Sequence, residues 1–545
     1  MTAILRDLRL EGAPRWLLLL LALVLTTPFW SLGHPLIEVD DARYAEIPRE
    51  MTATRDWGTP HLNEMDYVEK PPLWYWLGAA SYSLFGVSEA AARLPLALLA
   101  LLGLLGTAWL GSWLYDPRTG WTAAMMTGTA CLYFMLAHFI TPDMGLAVWL
   151  LWCSAFLLRA LLRPEDADWA APAAWACAAL AFLSKGLVAL VFPGAWVVAL
   201  WLLLPETRPR MQRLLRPRGP LLFLLITAPW FLLMEKRHPG FLRFFFYEHH
   251  IQRFATARFN RTNPWYFFLL FLPAGLLPWT PAVCSGLVQA WKDRTRGDAR
   301  ALALAAWALI ITAFFSYSKS KLVTYILPVF PHLLILAARS LEKVPPPAVQ
   351  RGARALGWLL LAAAAAAWPG SRLLPPGVIP APICIPLGAA ALAALGSALI
   401  AYGRPGQFLT GALAGTLAGA LALGGMNAAA GELSCRTLSQ AIVQRLQPGD
   451  LIYCYGTYLH GLPFYTRHRV DRLINWRGEL DYAARDERVH LERFGGQDRI
   501  AALPLPGKRV FLICRKRDAA FVLSLTPADR VGSAQNFGPW VLIQY

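Results

Sequence analysis

The sequence predicts an α-helical polytopic membrane protein of about 13 transmembrane helices, with amphipathic juxtamembrane helices and a small mixed α/β domain at its C-terminal end. Three observations lead to that class. Of 545 residues, 56% are hydrophobic and only 16% charged, with mean hydropathy +0.41, whereas soluble domains carry roughly 25% charged residues. Apolar runs close to the ~20 residues that cross a bilayer recur along the chain, separated by short Arg-rich turns. From about Ala428 onward the composition turns polar. A single water-soluble globule is excluded. Lys+Arg 51 against Asp+Glu 34 gives +17, and in a membrane chain such a surplus sets orientation and does not point to nucleic acid.

The first apolar run, Trp16 to Trp30, has no A-x-A cleavage site after it and is read as an uncleaved span. Spans are expected near 15–33, 93–114, 119–139, 142–162, 169–184, 187–204, 219–235, 264–287, 299–316, 321–338, 355–373, 383–402 and 407–427. With a cytoplasmic N-terminus, the even-numbered turns hold Arg159/Arg163, Arg208 to Arg218, Lys292/Arg294/Arg296 and Arg339/Lys343/Arg351/Arg354. That agrees with the positive-inside rule and, with an odd count, places the tail outside the cytoplasm. Residues 71–88 are apolar enough to span, but counting them would invert every later loop. They are therefore read as an interfacial or re-entrant helix, started by Pro71 and Pro72 and anchored by Trp74, Tyr75 and Trp76. Such segments also absorb part of the 23 Trp and 41 Pro. In the tail, TLSQAIVQRL reads as helix, and LIYCYG, KRVFLICRK and WVLIQY as strands. The domains expected are 1–427, with an outer loop at 34–92, and 428–545. The eight Cys show neither CxxC nor CxxH spacing and suggest no zinc ribbon or disulfide scaffold. The Gly/Ala run near 411–425 reads as a packing face within one bundle, so a monomer is expected.

The chemistry-bearing residues collect outside the spans. The outer loop carries Asp40, Asp41, Arg43, Tyr44, Glu46, Arg49 and Glu50, then Glu69-Lys70-Pro71-Pro72. By the same topology Asp143, Lys185, the loop with His249, His250 and Arg253, and Lys319/Lys321 face that side. Transporters keep ionisable residues near mid-span; here the span interiors are nearly free of charge, which disfavours a polyprenyl-lipid flippase and favours chemistry at the membrane surface. Asp143 opens a span behind Thr141-Pro142, where helix capping competes with catalysis. Glu69 with His250, or with His249, offers ligand types suited to a divalent ion such as Zn²⁺, Mn²⁺ or Mg²⁺.

Taken in order, DDARYAEIPREM, EKPPLWYWL, RLPLALLALLG, TPDMGL, LSKGLVALV, EHHIQRF with PWYF downstream, and FSYSKSKLVTYILPVFPHL resemble the polyprenyl-phosphate-dependent glycosyltransferases of the multi-spanning GT-C type. Within that group they are most similar to the lipid A aminoarabinose transferases. The resemblance covers about Asp40 to Leu341. It departs at the family's Asp-Glu pair before Thr-Arg-Tyr, which here reads Asp40-Asp41-Ala42-Arg43-Tyr44. The first carboxylate is kept, so the resemblance implies a catalytic Asp40, while the role of the second position does not carry over. It further implies undecaprenyl phosphate-aminoarabinose as donor and lipid A as acceptor, at the periplasmic face of a Gram-negative inner membrane; another lipid-linked sugar or a protein acceptor is the alternative. Both leaving group and nucleophile would be phosphates, and holding two anions together calls for cations. Lys70, Arg253, Lys319, Lys321 and Lys185 are the expected phosphate partners, with Asp40, Asp143 and Arg43 at the reacting centre.

Overall fold

The computed structural model describes residues 7–9, 14–252, 263–294, 300–341, 343–372, 382–503, 505–526 and 528–545. The chain divides into two compact units. A membrane unit is formed chiefly by Leu96–Pro375 and Ile385–Gly424, with the N-terminal segment to Ser31. A loop-and-tail unit is formed chiefly by Leu32–Pro95 and Gly425–Tyr545.

In the membrane unit every predicted apolar segment carries helix, but the helices are less uniform than hydropathy suggests. Among the described residues six helices are long and apolar enough to cross a membrane, or eight if each of two bent pairs counts as one span. The segment predicted as one span at 264–287 is such a pair, Phe267–Gly275 and Thr280–Asp293, bent by 109°. The segment predicted at 119–139 is likewise broken, into Pro117–Thr129 and Cys131–Leu136, at the extended residue Ala130. Both corrections have one cause. Pro278 has no N–H to continue a helix, and irregular backbone in an apolar setting must find partners elsewhere. The two breaks supply them to each other: Cys131 N–H donates to the Leu277 carbonyl at 3.0 Å, and the Trp279 indole donates to Thr129 Oγ1 at 2.9 Å. Apolar residues run through both breaks, so hydropathy does not mark them.

The loop-and-tail unit starts with helix α1 (Asp40–Thr54), followed by a hairpin of β1 (His61–Leu62) and β2 (Met65–Asp66) and then helix α2 (Leu73–Phe85). The hairpin turns at Asn63 and Glu64, both with positive φ (57° and 60°), the two-residue arrangement whose twist matches antiparallel strands. Pro48 lies inside α1 and has no N–H for the Tyr44 carbonyl. That carbonyl accepts instead from the Trp74 indole at 2.9 Å, and the Ala45 carbonyl accepts from Tyr82 Oη at 3.0 Å. Gly78 is needed at the closest approach, because a Cβ there would stand 2.7 Å from Pro48 Cγ.

Helix α2 therefore packs its aromatic face on α1. With 13 residues it is about 20 Å long, short of the ~30 Å hydrocarbon core, in keeping with a helix that does not span. Its predicted anchors need correcting: Trp74 and Tyr75 are buried against protein, and the exposed apolar residues are Leu84 and Phe85 at its C-terminal end.

The tail contributes a six-stranded sheet of order β5-β4-β3-β6-β8-β7. Its strands are β3 (Leu451–Tyr455), β4 (Arg472–Ile474), β5 (Phe494–Gly495), β6 (Val510–Arg515), β7 (Ser533–Phe537) and β8 (Trp540–Gln544). β3 to β6 pair in parallel, and β8 runs antiparallel to β6 and β7. Buried Ile474, Leu512, Val522 and Ile543 form its core. Short helices α3 (Gly461–Thr466) and α4 (Glu487–Arg493) cross between strands.

Loop and tail are joined by polar clamps. Both carboxylate oxygens of Glu38 accept backbone N–H groups at the start of α3, from His460 and Gly461, each at 2.8 Å. The Asn63 side chain makes a reciprocal pair with the Val470 backbone at 2.9 and 2.7 Å, and Arg493 donates to the Asn63 carbonyl at 2.6 Å. Glu50 accepts from the N–H groups of Asn63 and Glu64 at 2.6 and 2.8 Å, fixing the hairpin turn.

Candidate active site

Asp40 and Asp41 open α1, where a helix N-terminus favours negative charge, and their side chains take different duties. Asp41 is fully buried and paired with Arg93, whose guanidinium also donates to the carbonyls of Leu32, His34 and Pro35. Asp41 is thus a structural group that closes the 32–41 segment. Asp40 is 38% exposed at its side chain. Its Oδ1 accepts from Arg43, one turn further along, and its Oδ2 has no recorded partner among the described residues.

Arg43 is the hinge of a charge-alternating row. Its side chain is only 9% exposed; Nη2 donates to Asp40, Nη1 donates to Glu479 of the tail, and the guanidinium lies 5.0 Å from the Tyr44 ring centroid. Burial alone would loosen the Arg43 proton, but Tyr67, Tyr44, Glu479 and Asp40 outweigh it and raise its pKa. Glu479 Oε1 also lies 2.7 Å from His460 Nε2, and His460 Nδ1 is 3.7 Å from Glu38 Oε2. The row reads Asp40, Arg43, Glu479, His460, Glu38. Burial would lift the Glu479 carboxyl, yet His460 and Arg43 hold it well below the usual carboxylate range. Burial would depress the His460 imidazole, yet Glu479 and Glu38 hold it above its ordinary value.

These opposite shifts make stability depend on pH. The raised His460 value contributes fully below the unfolded imidazole value of about 6.5 and is lost as pH rises through the folded value; the lowered Glu479 value contributes above about 4.3 and is lost as pH falls through its folded value. His460→Gln is therefore expected to lower the thermal midpoint most near pH 5.5, with the gap to wild type closing towards pH 9. A gap that stays constant from pH 5.5 to 9 contradicts a charged His460 in the native protein.

Around this row, Glu46 is paired with Arg49 at 2.7 Å, Glu69 accepts from Tyr67 Oη at 3.4 Å, and Lys70 is half-buried immediately before α2.

In the membrane unit, Asp143 and Lys185 are brought together as an ion pair. Asp143 lies in the first turn of Pro142–Leu162 and Lys185 is the last residue of Ala167–Lys185, each at the helix end that suits its charge. Lys185 Nζ also sits 4.1 Å from the Tyr325 ring centroid. The N-cap position is held by Thr141, and the Asp143 carboxylate accepts from Lys185. Lys321 is buried, its ammonium donating to the carbonyls of Asn263 and Ser318 at 3.0 and 2.5 Å, while Lys319 beside it is exposed. His249 is buried with its ring 6.0 Å from Phe244. Arg253 and the His250 side chain lie outside the described residues. Among the described residues no three His, Cys, Asp or Glu gather to hold a metal ion, so the expected divalent site finds no support there.

Sequence reasoning missed Glu479, His460 and Glu38 as members of the Asp40 row. Glu479 and His460 lie more than 400 residues from Asp40, in a tail without a catalytic motif. The only usable signal was an unaccounted Arg43, which a buried helix face obliges to find a carboxylate.

Residues 69–233 match the family model described as dolichyl-phosphate-mannose-protein mannosyltransferase. The undecaprenyl phosphate-alpha-4-amino-4-deoxy-L-arabinose arabinosyl transferase of Pectobacterium atrosepticum is 32% identical over 335 residues, 60% of this chain and 59% of that relative. The chain thus spans under two thirds of that relative's length. Among solved structures, ArnT from Cupriavidus metallidurans bound to undecaprenyl phosphate superposes with TM-score 0.85 at 29% identity, covering 98% of both chains. An archaeal oligosaccharyltransferase, AglB from Archaeoglobus fulgidus, shares the fold with TM-score 0.52 at 11% identity, over 94% of this chain and 71% of its own.

Proposed function

We propose that this chain belongs to the GT-C type family of polyprenyl-phosphate glycosyltransferases and transfers 4-amino-4-deoxy-L-arabinose from undecaprenyl phosphate to a lipid A phosphate. The reaction takes place at the periplasmic face of a Gram-negative inner membrane, with the N-terminus cytoplasmic and the tail periplasmic. By adding an ammonium group to lipid A it lowers the envelope's negative charge and confers resistance to polymyxin and other cationic peptides. The observation that supports this reading most is the likeness to ArnT along nearly the whole chain.

In the step itself an oxygen of the lipid A phosphate attacks the sugar's anomeric carbon. The bond from that carbon to the donor phosphate breaks, and undecaprenyl phosphate leaves with the bonding pair. A phosphomonoester with a second pKa near 6 is mostly dianionic at pH 7, so the nucleophile needs little help in losing a proton. Positive charge develops on the sugar as the old bond breaks, as in other glycosyl transfers. The open Oδ2 of Asp40 is the carboxylate oxygen assigned to steady that charge, and Arg43, held by Glu479, fixes its position. Lys70, Lys319 and Arg253 are the cations assigned to substrate phosphates. Lys185 and Lys321 keep their ammonium groups on protein partners and serve the local positive potential.

Mass spectrometry of lipid A from cells with and without the protein tests the proposal. An added aminopentose that depends on the chain, together with a raised polymyxin threshold, supports it. Unchanged lipid A in cells that supply the donor overturns it.

A further inference from the structure

At the carboxyl ends of the parallel strands β4 and β5 the loop-and-tail unit has a cavity of about 420 Å³, within the size range of small-molecule sites. In open α/β sheets ligands bind outside the carboxyl ends of the strands, chiefly where the strand order reverses, which here is between β3 and β6, beside β4. Here the chain leaves β4 through Asn475, Trp476 and Arg477, and leaves β5 through Gly495 and Gly496. Asn475 takes a positive φ of 53°, and its N–H donates to the Gly495 carbonyl at 2.9 Å, which ties the two exits together. The side wall comes from α4 and its end, where the His490 ring stacks on Phe494 with centroids 5.9 Å apart.

The lining is chemically one-sided. Among the described residues it holds Arg477, His490 and Asn475 and no carboxylate, while the Asp498 carboxylate stands behind Gly496. Arg477 is exposed, and its guanidinium has no ion pair or hydrogen bond among the described residues; its carbonyl accepts from the Leu480 N–H at 3.0 Å. His490 Nδ1 is buried and has no hydrogen-bond partner among the described residues, a cost that a bound polar group would relieve. Beside these polar groups stand the flat faces of Trp476 and of the His490–Phe494 stack. An indole face against a ring of C–H bonds, flanked by a guanidinium suited to carboxylate or phosphate, is the set of contacts an anionic sugar uses.

The cavity also adjoins the Asp40 row. Trp476 lines it and at the same time lies 6.2 Å, ring to ring, from His460, whose Nε2 is 2.7 Å from Glu479. Two side chains, Trp476 and then His460, connect the cavity to the carboxylate that holds Arg43 and, through it, Asp40.

We infer that this cavity is a second saccharide site, which takes an anionic sugar unit of the acceptor beyond the phosphate that receives aminoarabinose. The inference rests on the proposed acceptor for its context but not for its test. Binding to the full-length protein in lipid nanodiscs, by saturation-transfer NMR, uses galacturonic acid as probe and neutral galactose as control. Galacturonate is expected to bind wild type, galactose to bind far more weakly, and Arg477→Ala and His490→Gln each to weaken galacturonate binding at least fivefold. Arg477 is exposed, so its variant is expected to fold normally. In transfer assays Arg477→Ala is expected to raise KM severalfold for lipid A that carries an anionic sugar, with kcat unchanged, and to leave KM for unsubstituted lipid A as it was. Equal galacturonate binding by wild type and both variants, or none by wild type, overturns the inference. Arg477-dependent binding by a protein that does not modify lipid A upholds the cavity as an anionic-sugar site and removes lipid A as the acceptor.

Discussion

Arg93→Met is expected to destabilise the loop-and-tail unit by about 3–5 kcal/mol, the cost of leaving one member of a buried ion pair alone, and Asp41→Ala by a similar but smaller amount. Both side chains are at 0% exposure, so neither charge is screened by water once its partner is gone. The order follows from what each loss strands. Removing Asp41 frees one guanidinium that still donates to the carbonyls of Leu32, His34 and Pro35. Removing Arg93 takes the counter-charge from the carboxylate, to which the Ile37 N–H still donates at 3.1 Å, and the guanidinium donors from those carbonyls. Replacing both partners by apolar residues, which is often neutral for an isolated buried pair, is not expected to rescue stability here, because the carbonyls lose the guanidinium donors. Thermal unfolding in detergent, followed by loss of the monodisperse chromatographic peak, checks the ranking. A double Asp41→Leu/Arg93→Met variant as stable as wild type would contradict it.

This pair also shows what sequence alone could and could not reveal. The two aspartates are adjacent and look equivalent, and the departure from the family's Asp-Glu pattern left the second without a role. The helix separates them: at a rotation of about 100° per residue, Asp41 turns into the protein towards Arg93 while Asp40 stays at the margin. The apolar segments, the strands LIYCYG, KRVFLICRK and WVLIQY, and the short helix after Lys70 were legible because hydropathy and periodicity are local properties. The breaks at Ala130 and Leu277–Trp279 were not, since two apolar stretches satisfy each other's backbone there without any change of composition. Nor was the union of outer loop and tail. Glu38 meets His460 across 422 residues of chain and Asn63 meets Val470 across 407, through single polar side chains that carry no motif. Composition separated the tail from the membrane segments correctly in kind, but it could not say that the tail supplies the partner of Arg43.

Asp40→Asn is expected to lower kcat for sugar transfer by about 10²–10³-fold, the usual effect of removing one group aimed at developing charge, with KM for both substrates nearly unchanged. The fold should tolerate it. Asp40 is partly exposed and asparagine keeps an oxygen for Arg43, so the loss of stability should stay within about 1 kcal/mol, as for other solvent-accessible ion pairs. Asp40→Glu restores the charge but displaces it by a methylene, and misplacement on the scale of 1 Å is itself costly in rate, about 10²-fold; little recovery is expected. Glu479→Gln differs from both. It leaves Oδ2 of Asp40 untouched and weakens the hold on Arg43 and on His460, so it should reduce kcat less than Asp40→Asn and should diminish the pH-dependent stability tied to His460, of which Glu38 keeps a part. Purified variants assayed with undecaprenyl phosphate-aminoarabinose and lipid A, with product read by mass, separate these cases. If Asp40→Asn protein that folds normally transfers sugar at the wild-type rate, Asp40 is not at the reacting centre. If Glu479→Gln is as inactive as Asp40→Asn while keeping the wild-type pH profile of stability, Glu479 acts on substrate directly and not through Arg43.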